Sequence, residues 1–217
     1  MHSIIIIDDH PLIRRGIKDL ITIDDSFEFT GEADTGEKGI EIALALQPDI
    51  ILLDLNMEKM NGLETLQAIK ATEIDAHVVI LTVSDNEKDI VAALRAGADG
   101  YLLKDMEPED MLKRLHDVIE GHIVLSQKVS EVIIQGLHEE AQNKTRQQAT
   151  LTRREQQILS LISKGLSNRR IAHKLNIVEG TVKVHVKHLL RKLNLRSRVE
   201  AALWVVEQKT QKKNNRA

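Results

Sequence analysis

The 217-residue chain is long for one ordinary domain and comfortable for two, and a hydrophobic share of 42% excludes global disorder. With no cysteine there are no disulfides or thiolate metal sites, which fits a reducing cytosol. No apolar run approaches the roughly 18 residues of a spanning helix, and Met1-His2-Ser3 does not open a signal peptide, so a cytoplasmic protein without a membrane partner is expected. The net charge of −3 hides an asymmetry: residues 1–125 carry 11 Lys+Arg against 26 Asp+Glu, a net of −15, whereas residues 126–217 carry 19 against 7, a net of +12. Only the second half is suited to a polyanion.

Ser3–Ile7 is an apolar, β-branched run ending in Asp8-Asp9, and Pro11 opens a helix with Leu12, Ile13, Gly16, Ile17, Leu20 and Ile21 at helical spacing. The unit then recurs. Strand Phe27–Glu32 precedes helix Gly36–Leu46, and strand Ile50–Asp54 precedes helix Leu63–Ala71. Strand His77–Thr82 leads to helix Glu87–Ala96, and strand Tyr101–Leu103 to helix Pro108–Ile119. Five such units predict a flavodoxin-like, doubly wound, five-stranded parallel sheet. Right-handed crossovers put every strand's C-terminal end on one edge, where ligands of open α/β sheets bind. That edge collects Asp8, Asp9, Asp54, Thr82 and Lys104.

Three clustered carboxylates repel one another, so a hard divalent cation, Mg²⁺, is the natural partner. A lysine and a hydroxyl beside them suit phosphoryl oxygens, and Asp54, alone at the end of the most apolar strand, is the candidate nucleophile for an aspartyl phosphate. Taken singly, each acidic residue is equally a helix cap; their joint placement at the right strand ends is what carries the chemistry.

After Gly121 the periodicity weakens. Val129, Val132, Ile133 and Leu137 fit a short amphipathic helix, and residues 139–150, almost free of apolar side chains, read as a tether. Domains are therefore expected at 1–121 and 151–217, with 122–150 between them. Thr152-Arg153-Arg154-Glu155 is a capping box for a helix that buries Ile158, Leu159 and Ile162. Ser167 caps a second helix, Asn176-Ile177 turns tightly, and a longer helix runs over Glu179–Leu193. Ser197-Arg198-Val199-Glu200 opens a last helix through about Gln208.

Two short helices at a tight turn, the second basic, make a helix-turn-helix. On that longer helix Val182, Val186, Leu189, Leu190 and Leu193 share the core face. Gly180, Val184, Lys187, His188 and Arg191 lie opposite it with Lys183 at the edge, and Thr181 is a further candidate DNA contact. An exposed valine among cations suits a thymine methyl in the major groove, with the cations on phosphates or guanine edges. His185 and His188 lack a third ligand nearby and read as surface groups. The last helix is apolar nearly all round, which calls for a partner beyond its own domain.

The set Asp8-Asp9, Asp54, Thr82, Tyr101 and Lys104 resembles the signature of response-regulator receivers. Residues 151–208 resemble the LuxR-type helix-turn-helix of the NarL/FixJ family. Leu102–Pro108 and Thr181–Lys187 are similar to the nitrate/nitrite regulators within it. The resemblance implies Asp54 as phosphoacceptor, Mg²⁺ held by Asp8, Asp9, Asp54 and the Asn56 carbonyl, and phosphoryl contacts from Thr82 and Lys104. Tyr101 would turn inward with Thr82 on activation. It further implies a histidine sensor kinase, double-stranded DNA and RNA polymerase as partners, and a homodimer on DNA through the last helix.

The sequence departs from the family at Glu58, Val83 and Asp105 in the receiver, and at Val178, where a Ser or Thr cap is usual. A phosphohydrolase using Asp54 would need a carboxylate two residues on, where Asn56 stands. A constitutive DNA binder with a scaffold receiver would not need Asp54, Thr82 and Lys104 together. The acidic first half is also expected to dock on the recognition helix, with Val184 supplying the apolar part of the contact.

Overall fold

The computed structural model describes residues 1–84, 86–125 and 151–214; the expected helix around Val129–Leu137 and the tether lie outside them. The first unit alternates β1 (His2–Ile7), α1 (Pro11–Ile21), β2 (Phe27–Ala33), α2 (Gly36–Leu46), β3 (Ile50–Leu53), α3 (Gly62–Lys70), β4 (His77–Thr82), α4 (Glu87–Ala96), β5 (Gly100–Leu103) and α5 (Pro108–Ile119). A sixth strand, β6 (Val124–Leu125), follows. The strands are parallel in the order β2-β1-β3-β4-β5-β6. The five expected strands are present. The two-residue β6, paired to Gly100 and Tyr101, was missed because so short a run carries no period, and it takes the sheet past Gly121.

Alternate residues of the strands face opposite layers. Ile5, Ile7, Ile51, Leu53, Val78 and Ile80 pack with residues of α2, α3 and α4, such as Leu66 and Leu94. Ile4, Ile6, Ile50, Leu52, Val79 and Leu81 pack with Ile17 and Ile21 of α1 and Leu115 of α5. Strands buried on both faces explain the unbroken apolar runs.

The second unit comprises α6 (Arg153–Ile162), α7 (Asn168–Leu175), α8 (Glu179–Leu193) and α9 (Arg198–Asn214). It has its own core of Ile158, Ile162, Ile171, Val182 and Leu189. The Thr152–Glu155 capping box is complete. Asn176 and Asn194 end α7 and α8 in the left-handed conformation that asparagine tolerates. The second expected box differs in detail: Ser197 accepts from the Glu200 amide, but the Glu200 carboxylate reaches past Ser197 to the Arg196 amide at 2.7 Å.

Candidate functional site

β1 and β3 are neighbours although a whole strand–helix unit separates them in the chain. The strand order reverses between them, which opens a crevice at their C-terminal ends. Asp8 and Asp54 stand there, 1% and 2% exposed. Gly62, at the start of α3, lies so close to the Asp54 carbonyl that a Cβ would sit 2.0 Å from its oxygen; only glycine lets α3 begin against the site.

Lys104, just beyond β5, brings its Nζ within 2.8 Å of both Asp8 Oδ2 and Asp54 Oδ2. Burial alone would depress this ammonium, but the bonds to Asp54 and Asp8 outweigh it and raise its pKa. Asp8 is pinned from two sides: its Oδ1 accepts the His10 amide at 2.9 Å, and its carbonyl accepts Arg14 Nη1 at 2.7 Å. Asp9 Oδ2 accepts the Glu58 amide at 3.3 Å. Ligand atoms of Asp8, Asp9, His10 and Asp54 all fall within 4.8 Å of one another. Asp8 and Asp54 share one lysine with Asp9 beside them, and Asp54 Oδ1 is buried with no hydrogen-bond partner among the described residues. A donor set of this charge, with an orphaned buried oxygen, fits a divalent cation.

Thr82, fully buried at the end of β4, accepts from Asn56 Nδ2 at 3.4 Å and from the Ser84 amide at 3.3 Å, which leaves its own proton available to donate. Val83 beside it is 72% exposed. Tyr101 is fully buried and donates its hydroxyl to the Ser84 carbonyl at 2.8 Å. The tyrosine expected to turn inward on activation is thus inward already, tied to the loop that follows Thr82. His10 was missed as a member of the cluster; its place directly after the Asp pair was the available signal.

In the second unit, Val182, Leu189 and Leu193 are buried, and Thr181, Lys183, Val184, Lys187, His188 and Arg191 are exposed, so the expected faces of α8 are the observed ones. Val178 makes no side-chain cap. Two polar links escaped the sequence reading because both join distant residues. Lys192 Nζ lies 2.8 Å from Glu155. Buried Arg198 donates to Asn168 Oδ1 at 2.8 Å and to the Leu166 carbonyl.

The two units touch at the sheet edge opposite Asp54. Val199, 1% exposed, belongs to the first unit's core cluster, and Leu203 packs beside it. A Cβ on Gly97, whose φ is +108°, would lie 2.6 Å from Arg196 Cβ. The Asn168 amide donates to the Glu120 carbonyl at 3.2 Å. Lys187 Nζ lies 3.6 Å from Asp75 Oδ2. His77, at the start of β4, is held below its ordinary pKa by burial, against the pull of Asp99. The expected apolar contact through Val184 is not what forms: Val184 stays 53% exposed, and α9 supplies the apolar seat. The recognition helix is flanked at Lys187 rather than covered.

Residues 4–116 match the response regulator receiver domain family, and residues 149–205 match the bacterial regulatory proteins of the luxR family. The chain is 51% identical over 207 residues to the nitrate/nitrite response regulator protein NarL of Escherichia coli (strain K12), covering 95% of this chain and 96% of that one. It is 44% identical over 211 residues to NarP of the same organism, covering 95% of each. The solved RcsB–DNA complex shares the fold at a TM-score of 0.57 and 22% identity, over 95% of this chain and 98% of RcsB. Receiver and LuxR-type units together imply a sensor kinase and DNA as partners, and these families regulate transcription rather than catalyse metabolic reactions. No helix among the described residues is long and apolar enough to cross a membrane. This chain is a two-component response regulator of the NarL type, a receiver joined to a LuxR-type helix-turn-helix.

Proposed function

We propose that Asp54 is the phosphoacceptor of a cytoplasmic, nitrate/nitrite-responsive regulator, and that its phosphorylation releases the DNA-binding unit from the seat that α9 takes on the receiver. The observation that carries the reading is the buried Asp54 carboxylate, held by Lys104 on one oxygen and unpartnered on the other. Asp8, Asp9, Asp54 and the Asn56 carbonyl would hold Mg²⁺, which would supply charge neutralisation for the incoming phosphoryl group. One oxygen of the Asp54 carboxylate attacks phosphorus as the bond to the donor's leaving group breaks. Lys104 then exchanges a carboxylate oxygen for a phosphoryl oxygen, and the Thr82 hydroxyl donates to another. Thr82 releases Ser84, and Ser84 carries Tyr101 and the start of α4 with it.

The nitrate/nitrite signal rests on the likeness to NarL and NarP. A histidine sensor kinase donates the phosphoryl group. The receiver spans residues 1–121 and the β6 strand that carries its sheet to Leu125, the linker runs from there to 150, and 151–217 is the DNA-binding unit, which acts as a homodimer through α9 and recruits RNA polymerase. Lys183, Val184 and Lys187 read bases, while Thr181, His188 and Arg191 border them.

Intact-mass spectrometry after treatment with acetyl phosphate and Mg²⁺ is expected to show one phosphoryl adduct on the wild type and none on Asp54→Asn. An equal adduct on the variant overturns the assignment. Phosphorylated whole chain and unphosphorylated fragment 150–217 are both expected to bind target DNA tightly, and the unphosphorylated whole chain weakly.

A further inference from the structure

His10 does more than follow the Asp pair. It is the N-cap of α1 yet makes no side-chain cap. Its amide is fastened to Asp8 Oδ1 at 2.9 Å, and Pro11 fixes the next turn of chain. The backbone therefore holds the ring against the carboxylates: Nδ1 lies 2.7 Å from Asp9 Oδ1 and 3.4 Å from Asp8 Oδ1. Around an ion bound at about 2.1 Å, adjacent ligands are about 3 Å apart and opposite ones about 4.2 Å apart. The two His10 distances bracket the adjacent-ligand value. The 4.8 Å spread of the whole set exceeds the opposite-ligand value by little more than half an ångström, and a ring 63% exposed is free to close it. The second sign of a ligand here is Asp54 Oδ1, buried and unpartnered among the described residues.

Mg²⁺ takes oxygen and keeps waters in its remaining positions, whereas imidazole favours the later first-row ions. From this geometry we infer that His10 Nδ1 is an additional ligand at the receiver's cation site, giving it a distinct, tighter mode for divalent transition ions such as Co²⁺, Ni²⁺ or Zn²⁺. The inference rests on the proposed Mg²⁺ site and deepens it. The Mg²⁺ mode uses the three carboxylates and leaves the His10 ring outside the coordination sphere, beside Asp9. In the transition-ion mode the ring lone pair replaces one water. No other residue has to move, because Lys104 holds Oδ2 of Asp8 and Asp54 in both modes.

The test is binding of Co²⁺ and Mg²⁺, each alone, to the full-length wild type and to His10→Ala and His10→Gln. Co²⁺ is followed by its visible absorption and paramagnetically shifted imidazole proton signals, and Mg²⁺ by calorimetry. The wild type is expected to bind one tight Co²⁺ that excess Mg²⁺ displaces. Both variants are expected to lose at least tenfold in Co²⁺ affinity, together with a shifted imidazole signal, while their Mg²⁺ affinity stays within about twofold. Unchanged Co²⁺ affinity in the variants overturns the inference, as does a parallel loss for both ions, which would make His10 a structural residue. If the wild type bound neither ion at this site, the Mg²⁺ reading itself would fall.

Discussion

At the scale of single residues, the receiver site is an arrangement of charge. Lys104 is buried between Asp8 and Asp54 with its pKa raised. Its stabilisation is complete below the ordinary lysine value and fades only as pH climbs through the folded one, so it is constant across the physiological range. Glu155 titrates at the other end of the scale. The Lys192 ammonium first, and then the Thr152 amide and hydroxyl, hold its carboxyl down at about 2. Its contribution is present above the unfolded value of 4.5 and disappears as pH falls from there through about 2. With Lys192 41% exposed, a loss of about 1–2 kcal/mol is expected over that window. Glu155→Gln is expected to flatten the acid limb in thermal melts; identical limbs would remove Glu155 from the account. Val83, exposed next to Thr82, is proposed to shield a phosphoryl group on Asp54 from water. Val83→Ala is expected to speed dephosphorylation several-fold, and an unchanged decay of the mass adduct would show that the side chain shields nothing.

At the scale of elements, the chain's own patterning explains most of what forms. The run Ile50–Leu53 announced a doubly buried strand and hence Asp54 at its end, and period 3.6 in residues 182–193 announced which side of α8 stays wet. The short β6 did not announce itself, and neither did α9's role as the docking element. An all-round apolar helix shows that a partner is wanted without naming it, so the last helix read as a dimer contact, whereas Val199 sits in the receiver core. Links such as Lys192–Glu155 and Arg198–Asn168, over separations of 37 and 30 residues, have no local signature at all. The helix start at Val178 is a departure that the structure leaves standing, since α8 begins with no side-chain cap. Val178→Ser is expected to raise stability by about 1 kcal/mol, read as a shift in the denaturant midpoint. No shift would mean that the first amides of α8 already have another acceptor.

At the scale of the whole molecule, charge and apolar contact divide the labour of holding the two units together. Lys187 and Asp75 are 63% and 86% exposed at 3.6 Å, a pair worth at most about 1 kcal/mol and weakened by salt. The buried Val199 side chain does not depend on salt. Truncating it to Ala removes two methyl groups from the interface, about 1–2 kcal/mol. Val199→Ala is accordingly expected to raise DNA affinity of the unphosphorylated whole chain by roughly five- to thirty-fold. Fragment 150–217 bearing the same change should bind as its parent does. An equal gain in the fragment would mean that Val199 acts within the DNA-binding unit.

The cation crevice and the docking seat occupy opposite ends of the same strands. β4 runs from His77, beside the seat, to Thr82, at the Asp54 end of the sheet, a span of roughly 17 Å at about 3.3 Å per residue. A phosphoryl donor can therefore reach Asp54 while the DNA-binding unit is still in place, and input and output never compete for the same surface. Reading in and letting go become separate events with separate failure modes. One class of lesion, at Asp8, Asp54 or Lys104, is expected to produce a deaf protein that stays shut. Another, at Gly97 or Val199, is expected to produce one that hears normally and is already open. A third, along β4 or α4, is expected to produce a protein that accepts phosphate and does nothing with it.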